Sequence, residues 1–306
     1  MNIYMIILAG GKGSRMKTEL PKCIYPFFNK PMINYLINTS KKIKIKELCI
    51  IIGHKHNLIK KQIKEQATYI YQQEQLGTGH AIKIAKKFYE NKEGILIIIP
   101  SDMPLVNEEI LNKLIDKHIY EKNDLTIISN IIDNPFGYGR IIRNETNNQV
   151  IDIKEELETN EQTKKIKEIN TGIYIINTNV LKNNIDKINN NNIKKEYYLT
   201  DLIKILSGKY KIGTLTYINN YKLTGVNDLE QLSKLEEKYR QEINQTHMLN
   251  GVHLIKPESI IIEDTVKIGK NVTIDSCSII RGNTKIKNNT YIKPYTYILN
   301  NKKMNN

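Results

Sequence analysis

The sequence predicts an α/β fold, a Rossmann-like and mostly parallel sheet covered on both faces, followed by a short parallel β-helix. Two observations carry the first part. Short apolar runs alternate with amphipathic segments up to about residue 132. The most apolar of those runs show no polar alternation, as strands buried on both faces require. A third observation carries the second part: isoleucines recur every six residues from Ile262 to Ile298, a period that fits neither a helix nor a plain strand.

In chain order, strands are expected at Ile3–Leu8, Leu48–Ile52, Thr68–Tyr71, Ile95–Ile99 and Leu125–Ile131. Helices are expected between them, at Met32–Ile43, Lys55–Lys64, His80–Tyr89 and Glu108–His118. Ligands of such a sheet lie beyond the carboxyl ends of its strands. From about 133, Gly-rich turns and the short strands Gly139–Arg143, Val150–Lys154 and Gly172–Ile176 read as an excursion over one end of the sheet, covering a second substrate. A Glu/Lys/Leu-rich helix runs from Asp228 to about Asn244. The expected organisation is a sheet domain over 1–227, a linker helix over 228–250 and a β-helix over 251–306. In the tail, Ile262, Ile268, Ile274, Ile280, Ile286, Ile292 and Ile298 would fill the coil interior, with Val266, Val272, Ser278, Thr284, Thr290 and Thr296 two positions before an isoleucine. Only about two coils are present, and about three repeats are usually needed, so this stub should require a cap or a partner chain.

The length suits about two domains. Lys plus Arg is 46 against 32 for Asp plus Glu, a net charge of +14 that would suit polyanionic partners. Drift towards Ile, Lys and Asn supplies that charge equally without an electrostatic purpose, and the basic residues are scattered with no base-reading motif, so no nucleic-acid partner is expected. Cys23, Cys49 and Cys277 form no Cys-x-x-Cys pair, which excludes an encoded disulfide framework or zinc knuckle. No apolar run approaches the roughly 20 residues needed to span a bilayer. The opening run Ile3–Ala9 lacks a basic leader and is too short for a signal core. A soluble cytoplasmic protein without a membrane partner is expected.

Three clusters follow strands and carry chemistry. Leu8-Ala9-Gly10-Gly11-Lys12-Gly13-Ser14-Arg15-Met16 offers backbone amides that surround a phosphate, with Lys12 and Arg15 adding charge and Lys22 supplying a further cation nearby. It is neither a P-loop, because Gly13 follows Lys12, nor a dinucleotide fingerprint, because Met16 stands in place of the last glycine. The spacing alone also admits an ordinary tight turn. In Gln72–Ala81, Gln72 has donors and acceptors for a base edge, Gly77 and Gly79 around Thr78 open the backbone to close approach, and His80 reads as structural. In Ser101-Asp102-Met103-Pro104, Asp102 ends a buried parallel strand and suits a hard cation held jointly with phosphates; alone it would read as a turn or N-cap aspartate.

LAGGKGSRM followed by PKCI, then QQEQLGTGHA, SDMPL, GYGRIIR, EINTGIY, EYYLTDL and GVNDLEQLSKLE resembles, in order and spacing, the uridyltransferase domain of bacterial N-acetylglucosamine-1-phosphate uridyltransferases. Those bifunctional enzymes carry a C-terminal left-handed β-helix that acetylates glucosamine 1-phosphate. The resemblance runs from about residue 3 to 245, and the hexads extend it to about 300. It implies that Leu8, Ala9, Gly10 and Gly11 line the uridine nucleotide while Arg15 and Lys22 act as catalytic cations on its phosphates. Gln72, Gly77 and Thr78 would read uracil, Gly139, Glu155 and Asn170 would hold the amino sugar, and Asp102 and Asn227 would bind Mg²⁺. The stretch DIKEELET contains an extra residue relative to the family, leaving Glu156 a competitor of Glu155, and Pro100-Ser101 replaces the family's Tyr-Gly before Asp102.

The resemblance implies transfer of a uridylyl group from UTP to N-acetylglucosamine 1-phosphate with Mg²⁺ as cofactor. The family's acetyltransferase residues lie many coils further on, so acetyl transfer is expected to be absent and the hexads to serve as a homotrimer stub. Another sugar 1-phosphate or nucleotide, or an inactive scaffold, are the alternatives the sequence leaves open.

Overall fold

The computed structural model describes residues 1–304. In it, β1 (Ile3–Ala9) sends Tyr4 and Ile6 into one core and Met5, Ile7 and Ala9 into another, so both faces of the strand are buried. The same alternation holds in β2 (Glu47–Ile52) and β4 (Ile95–Pro100): Cys49, Ile51, Leu96 and Ile98 face the first core, while Ile50, Ile52, Ile97 and Ile99 face the second. A side chain of this size contributes about 1.5–3 kcal/mol when fully buried, which is why these runs sit at the sheet centre. The remaining strands of this sheet are β3 (Thr68–Tyr71), β5 (Leu125–Ile131), β6 (Arg140–Arg143), β7 (Val150–Lys154), β8 (Glu168–Asn177) and β9 (Ile212–Ile218). They form a nine-stranded sheet in the order β9-β5-β8-β4-β1-β2-β3, with β6 paired to β8 and β7 to β6. Neighbours are parallel except around β8, which runs antiparallel to β4, β5 and β6, and in the β6–β7 pair.

That exception matters for the site. Because β8 is antiparallel to β4, its first residues lie at the rim where β1 and β4 end, so Asn170 reaches the same edge as Ala9 and Pro100. The expected strand Gly172–Ile176 is only the second half of β8; a register shift between Asn170 and Tyr174 joins it to an earlier half. The excursion from 133 onwards is hydrogen-bonded into the sheet through β8, not merely laid over its end.

Helices α1 (Met32–Lys42), α2 (His56–Gln62) and α5 (Glu108–Tyr120) match the amphipathic segments. The Asn107 side chain caps α5 by accepting from Ile110 N–H at 3.1 Å, with Glu108 and Glu109 in its first turn. The single helix expected at His80–Tyr89 is two, α3 (Thr78–Ile84) and α4 (Lys86–Tyr89), broken at Ala85. Buried Tyr89 donates to the Ile82 carbonyl at 3.1 Å, satisfying an acceptor at the end of α3. Two short helices, α6 (Thr178–Asn184) and α7 (Asp201–Leu206), complete the first compact unit, Met1–Asp228.

The second unit, Leu229–Asn306, opens with α8 (Leu229–Leu249) and continues as a parallel β-helix. Each coil is three hexads, so residues eighteen apart pair: Ile262 with Ile280, Ile280 with Ile298, Ile274 with Ile292 and Ile268 with Ile286. Six of the seven isoleucines are buried; Ile268 is only half-buried. Corners repeat in the left-handed region at Asn271 and Asn289, and at Cys277 and Tyr295. Both ends are dressed. Asn244 of α8 donates to the carbonyls of Pro257 at 2.8 Å and Ile260 at 3.0 Å. At the last coil a turn through Asn300 and Asn301, both at positive φ, brings Lys302–Met304 back antiparallel onto Tyr297–Leu299.

Candidate active site

The first unit holds a cavity of about 620 Å³ at the carboxyl ends of β1 and β4, walled by the glycine loop, by Gln72 to Ala81, by Pro100 to Asp102 and by Glu155 and Tyr198. Leu8, Ala9, Gly10, Gly11, Lys22, Gln72, Gly77, Thr78, Asp102 and Glu155 all line it. Arg15, Asn227, Gly139 and Asn170 are not in its wall: Asn227 bonds to Lys22 and Gly139 stands beside Glu155, both of which are, while Arg15 is joined to the wall through Asn227 and Asn170 through Gly139.

The cationic corner is built by the loop. Gly13 stands at φ 64°, and a Cβ there would come within 2.7 Å of the Lys22 Cβ, so glycine sets both the turn and the seat of Lys22. The Lys22 ammonium forms a close ion pair with Asp102 Oδ2, the two side chains being 19% and 15% exposed. It also donates to Asn227 Oδ1 at 3.2 Å, and Arg15 Nη2 donates to the same oxygen at 2.9 Å. Two hard oxygens thus converge on one cation. A carboxylate and an amide oxygen beside a cavity walled by a glycine loop are a donor set that fits Mg²⁺, which takes one or two protein oxygens and completes its shell with phosphates and water. Among the described residues no cluster of three His, Cys, Asp or Glu forms a self-sufficient metal cage.

Gln72 is 4% exposed, and its Nε2 donates to Gly77 O at 3.1 Å and meets His80 Nδ1 at 3.2 Å. An amide nitrogen can only donate, so in this contact His80 Nδ1 is the acceptor. The amide nitrogen of Gln72 is committed internally and its Oε1 is turned towards Gly10. The glycines around Thr78 have a different reason from the one expected. A Cβ at Gly77 or Gly79 would meet the Tyr197 carbonyl at 2.6 or 2.9 Å, so what approaches here is the chain's own segment 197–199. Gly79 N–H donates to Tyr197 O at 2.7 Å, and Leu199 N–H to Thr78 Oγ1 at 3.1 Å.

On the far wall the two candidate glutamates separate. Glu156 pairs with buried Arg140 at 2.8 Å and accepts from Gly137 N–H, whereas Glu155 lines the cavity and accepts from Thr200 at 2.9 Å. Burial raises the Glu155 carboxyl above the usual carboxylate range, opposed by the Thr200 hydrogen bond and the charge of Lys194. Asn170 N–H donates to Gly139 O at 2.8 Å, and a Cβ at Gly139 would stand 3.7 Å from Glu155 Oε2, so these three form one corner. The Asn170 side chain also donates to Tyr174 Oη at 2.6 Å. Burial pushes the Cys23 thiol up to about 12, so this lining residue stays protonated and is no nucleophile.

The run EYYLTDL carries part of the family resemblance, and none of the expected site residues falls in it. The structure puts Lys194, Glu196 and Tyr198 in the cavity wall and Thr200 behind Glu155; the signal available was a carboxylate and two tyrosines in a run otherwise rich in Asn and Lys. Tyr138 is a further neighbour, its hydroxyl raised first by burial and then by the charge of Asp102.

A sequence profile of nucleotidyl transferases matches residues 4–216, the stretch that builds this cavity. The chain belongs to the nucleotidyl transferase family. A second profile, the bacterial transferase hexapeptide with six repeats, matches residues 265–300. This nucleotidyl transferase is 41% identical to the bifunctional protein GlmU of Acholeplasma laidlawii, over 81% of its own length and 54% of that relative. It is 42% identical to the bifunctional protein GlmU of Clostridioides difficile over the same shares. It thus spans about half the length of the curated relatives it matches. Among solved structures, a UDP-glucose pyrophosphorylase complexed with UDP-glucose has the same fold, with a TM-score of 0.62 at 17% identity, covering 79% of this chain and 100% of that one. No helix among the described residues is long and apolar enough to cross a membrane.

Proposed function

We propose that the chain transfers a uridylyl group from UTP to N-acetylglucosamine 1-phosphate, giving UDP-N-acetylglucosamine and pyrophosphate. The observation that carries this reading is the convergence on one cavity of an open glycine loop, the cationic corner of Lys22 and Arg15, and the Glu155 wall. In the reaction a phosphate oxygen of the sugar phosphate attacks the α-phosphorus of UTP, forming a new P–O bond as the bond to the β-phosphate oxygen breaks. Positioning and charge neutralisation suffice for such a step, and no nucleophilic side chain is needed.

The residues divide the work. Gly11 leaves the loop backbone open to phosphate, and Arg15 and Lys22 offset the repulsion between an anionic nucleophile and a polyanion. Asp102 and Asn227 would hold Mg²⁺, which neutralises phosphate charge and fixes the triphosphate when bound. With its Nε2 committed to Gly77 and His80, Gln72 offers an acceptor, which suits the imide N–H of uracil and disfavours cytosine, whose corresponding nitrogen is itself an acceptor. Glu155 and Asn170 supply acceptor and donor groups for the hydroxyl and amide groups of an amino sugar. The motif resemblance and the GlmU relatives support the same choice of substrates, and the hexapeptide unit supports a homotrimer, which sedimentation velocity would reveal.

The test incubates the full chain with UTP, N-acetylglucosamine 1-phosphate and Mg²⁺ and separates the nucleotide sugars formed. UDP-N-acetylglucosamine with stoichiometric pyrophosphate is expected; preferred turnover of dTTP with glucose 1-phosphate would overturn the assignment. Acetyl transfer to glucosamine 1-phosphate is assayed on the same preparation.

A further inference from the structure

We infer that Lys22 is a resident cation of the metal site, and that a divalent ion enters only as this lysine leaves, so that metal binds together with the nucleotide and not ahead of it. The inference rests on the metal role given above to Asp102 and Asn227.

The argument is one of acceptor capacity. An amide oxygen has two lone pairs. Two cations donate to Asn227 Oδ1, Arg15 at 2.9 Å and Lys22 at 3.2 Å, and together they take its two lone pairs, so a metal adds to this oxygen only by displacing one of them. Oδ2 of Asp102 already carries the Lys22 ammonium in a close ion pair, so a divalent ion at this oxygen would sit against a resident cation. Lys22 is the donor common to both oxygens, and its release alone opens a site between them. An ammonium and a divalent ion sharing two oxygens in a partly buried corner would also repel each other strongly.

Departure of Lys22 requires a new acceptor, because a partly buried ammonium without one is costly. The triphosphate supplies it. Lys22 and the glycine loop line the same cavity, and Gly13 fixes the lysine backbone against that loop, so the side chain swings from carboxylate to phosphate without backbone motion. The exchange puts two positive charges at the oxygens in place of one, and the triphosphate, which pairs with the lysine that left, offsets the gain. Free protein then keeps Asp102 neutralised without metal, and the reactive arrangement is completed only when nucleotide is bound.

The experiment measures Mn²⁺ binding by electron paramagnetic resonance on the full chain, with and without UTP, for the wild type, Lys22→Met, Lys22→Arg and Asp102→Ala. Without nucleotide, Lys22→Met should bind Mn²⁺ at least tenfold more tightly than the wild type, and Lys22→Arg should stay as weak as the wild type. A Mn²⁺-induced rise in melting temperature, present in Lys22→Met and absent in the wild type, reports the same exchange and shows that the variant is folded. Equal Mn²⁺ affinity of wild type and Lys22→Met without UTP, alongside binding with UTP that Asp102→Ala abolishes, would overturn the exchange while leaving the metal role intact. Mn²⁺ binding indifferent to Asp102→Ala in both conditions would instead remove the metal role itself.

Discussion

Gly10 and Gly11 are adjacent in sequence, yet the structure gives them opposite reasons for being glycine, and two alanine substitutions separate those reasons. A Cβ at Gly10 would lie 2.5 Å from Gln72 Oε1. An ordinary non-bonded approach is about 3.5 Å, so roughly 1 Å must be recovered. Gln72 has little room to yield: it is 4% exposed and its Nε2 is tied to Gly77 at 3.1 Å and His80 at 3.2 Å. Rotating the amide away forfeits two hydrogen bonds at about 1 kcal/mol each, so Gly10→Ala should cost about 2 kcal/mol. For a unit of this size that is a fall of about 4–8 °C in Tm. A Cβ at Gly11, by contrast, meets nothing within 4 Å, and Gly11 lines the cavity. Gly11→Ala should leave Tm within about 1 °C, or raise it slightly by restricting the unfolded chain. It should nevertheless lower kcat/KM for UTP by about tenfold or more, since 1.4 kcal/mol of lost approach between loop and phosphate is enough. Differential scanning fluorimetry and initial-rate kinetics on both variants decide it. Wild-type kcat/KM in Gly11→Ala would refute the loop as a phosphate seat, and a wild-type Tm in Gly10→Ala would refute the packing argument.

Three further outcomes follow from the same geometry. Because burial raises the Glu155 carboxyl, the folded chain binds that proton more readily than the unfolded chain; the charged form costs stability above the raised value, and the cost is relieved as pH falls towards the ordinary carboxylate range. Glu155→Gln should therefore raise Tm at pH 8 while lowering kcat/KM for the sugar phosphate by about tenfold, and a variant that lost activity with no gain in Tm would contradict the strained-carboxylate account. Asp102→Ala should abolish metal-dependent pyrophosphate release with the circular dichroism spectrum unchanged; retained release would take Asp102 out of the site. Ile280, fully buried and paired to both Ile262 and Ile298, should cost about 2–5 kcal/mol as alanine. Hydrogen exchange should then quicken in all three of those strands together, and acceleration confined to the middle strand would argue against a shared coil interior.

How much of this was legible depends on which physical quantity each feature obeys. The central strands were readable because burial on both faces forces unbroken apolar runs, and the glycine loop and Asp102 because each follows such a strand, where chain topology alone delivers it to the rim; Gln72 follows the half-exposed edge strand β3 and was read from its glycine-rich neighbours. The edge strand β9 passed unnoticed: its residues are mostly half-exposed, and a half-exposed strand need not be apolar. Glu155 and Glu156 were inseparable in sequence because their difference is one of direction, settled by Arg140, a residue sixteen positions away that claims one of them. The segment from Asn192 to Thr200 was hardest to read, since its Asn and Lys content resembles solvated loop, yet it closes the cavity wall. The trace it left was in its partner. Gly77 and Gly79 announce that something must come within about 3 Å of that backbone. Glycine records the closeness of an approach and not its author, which here is the Tyr197 carbonyl. The second glycine cluster therefore acts on the ligand at one remove: it admits the strand of chain that carries Glu196 and Tyr198 to the cavity, and so joins the wall beside Gln72 to the wall beside Glu155.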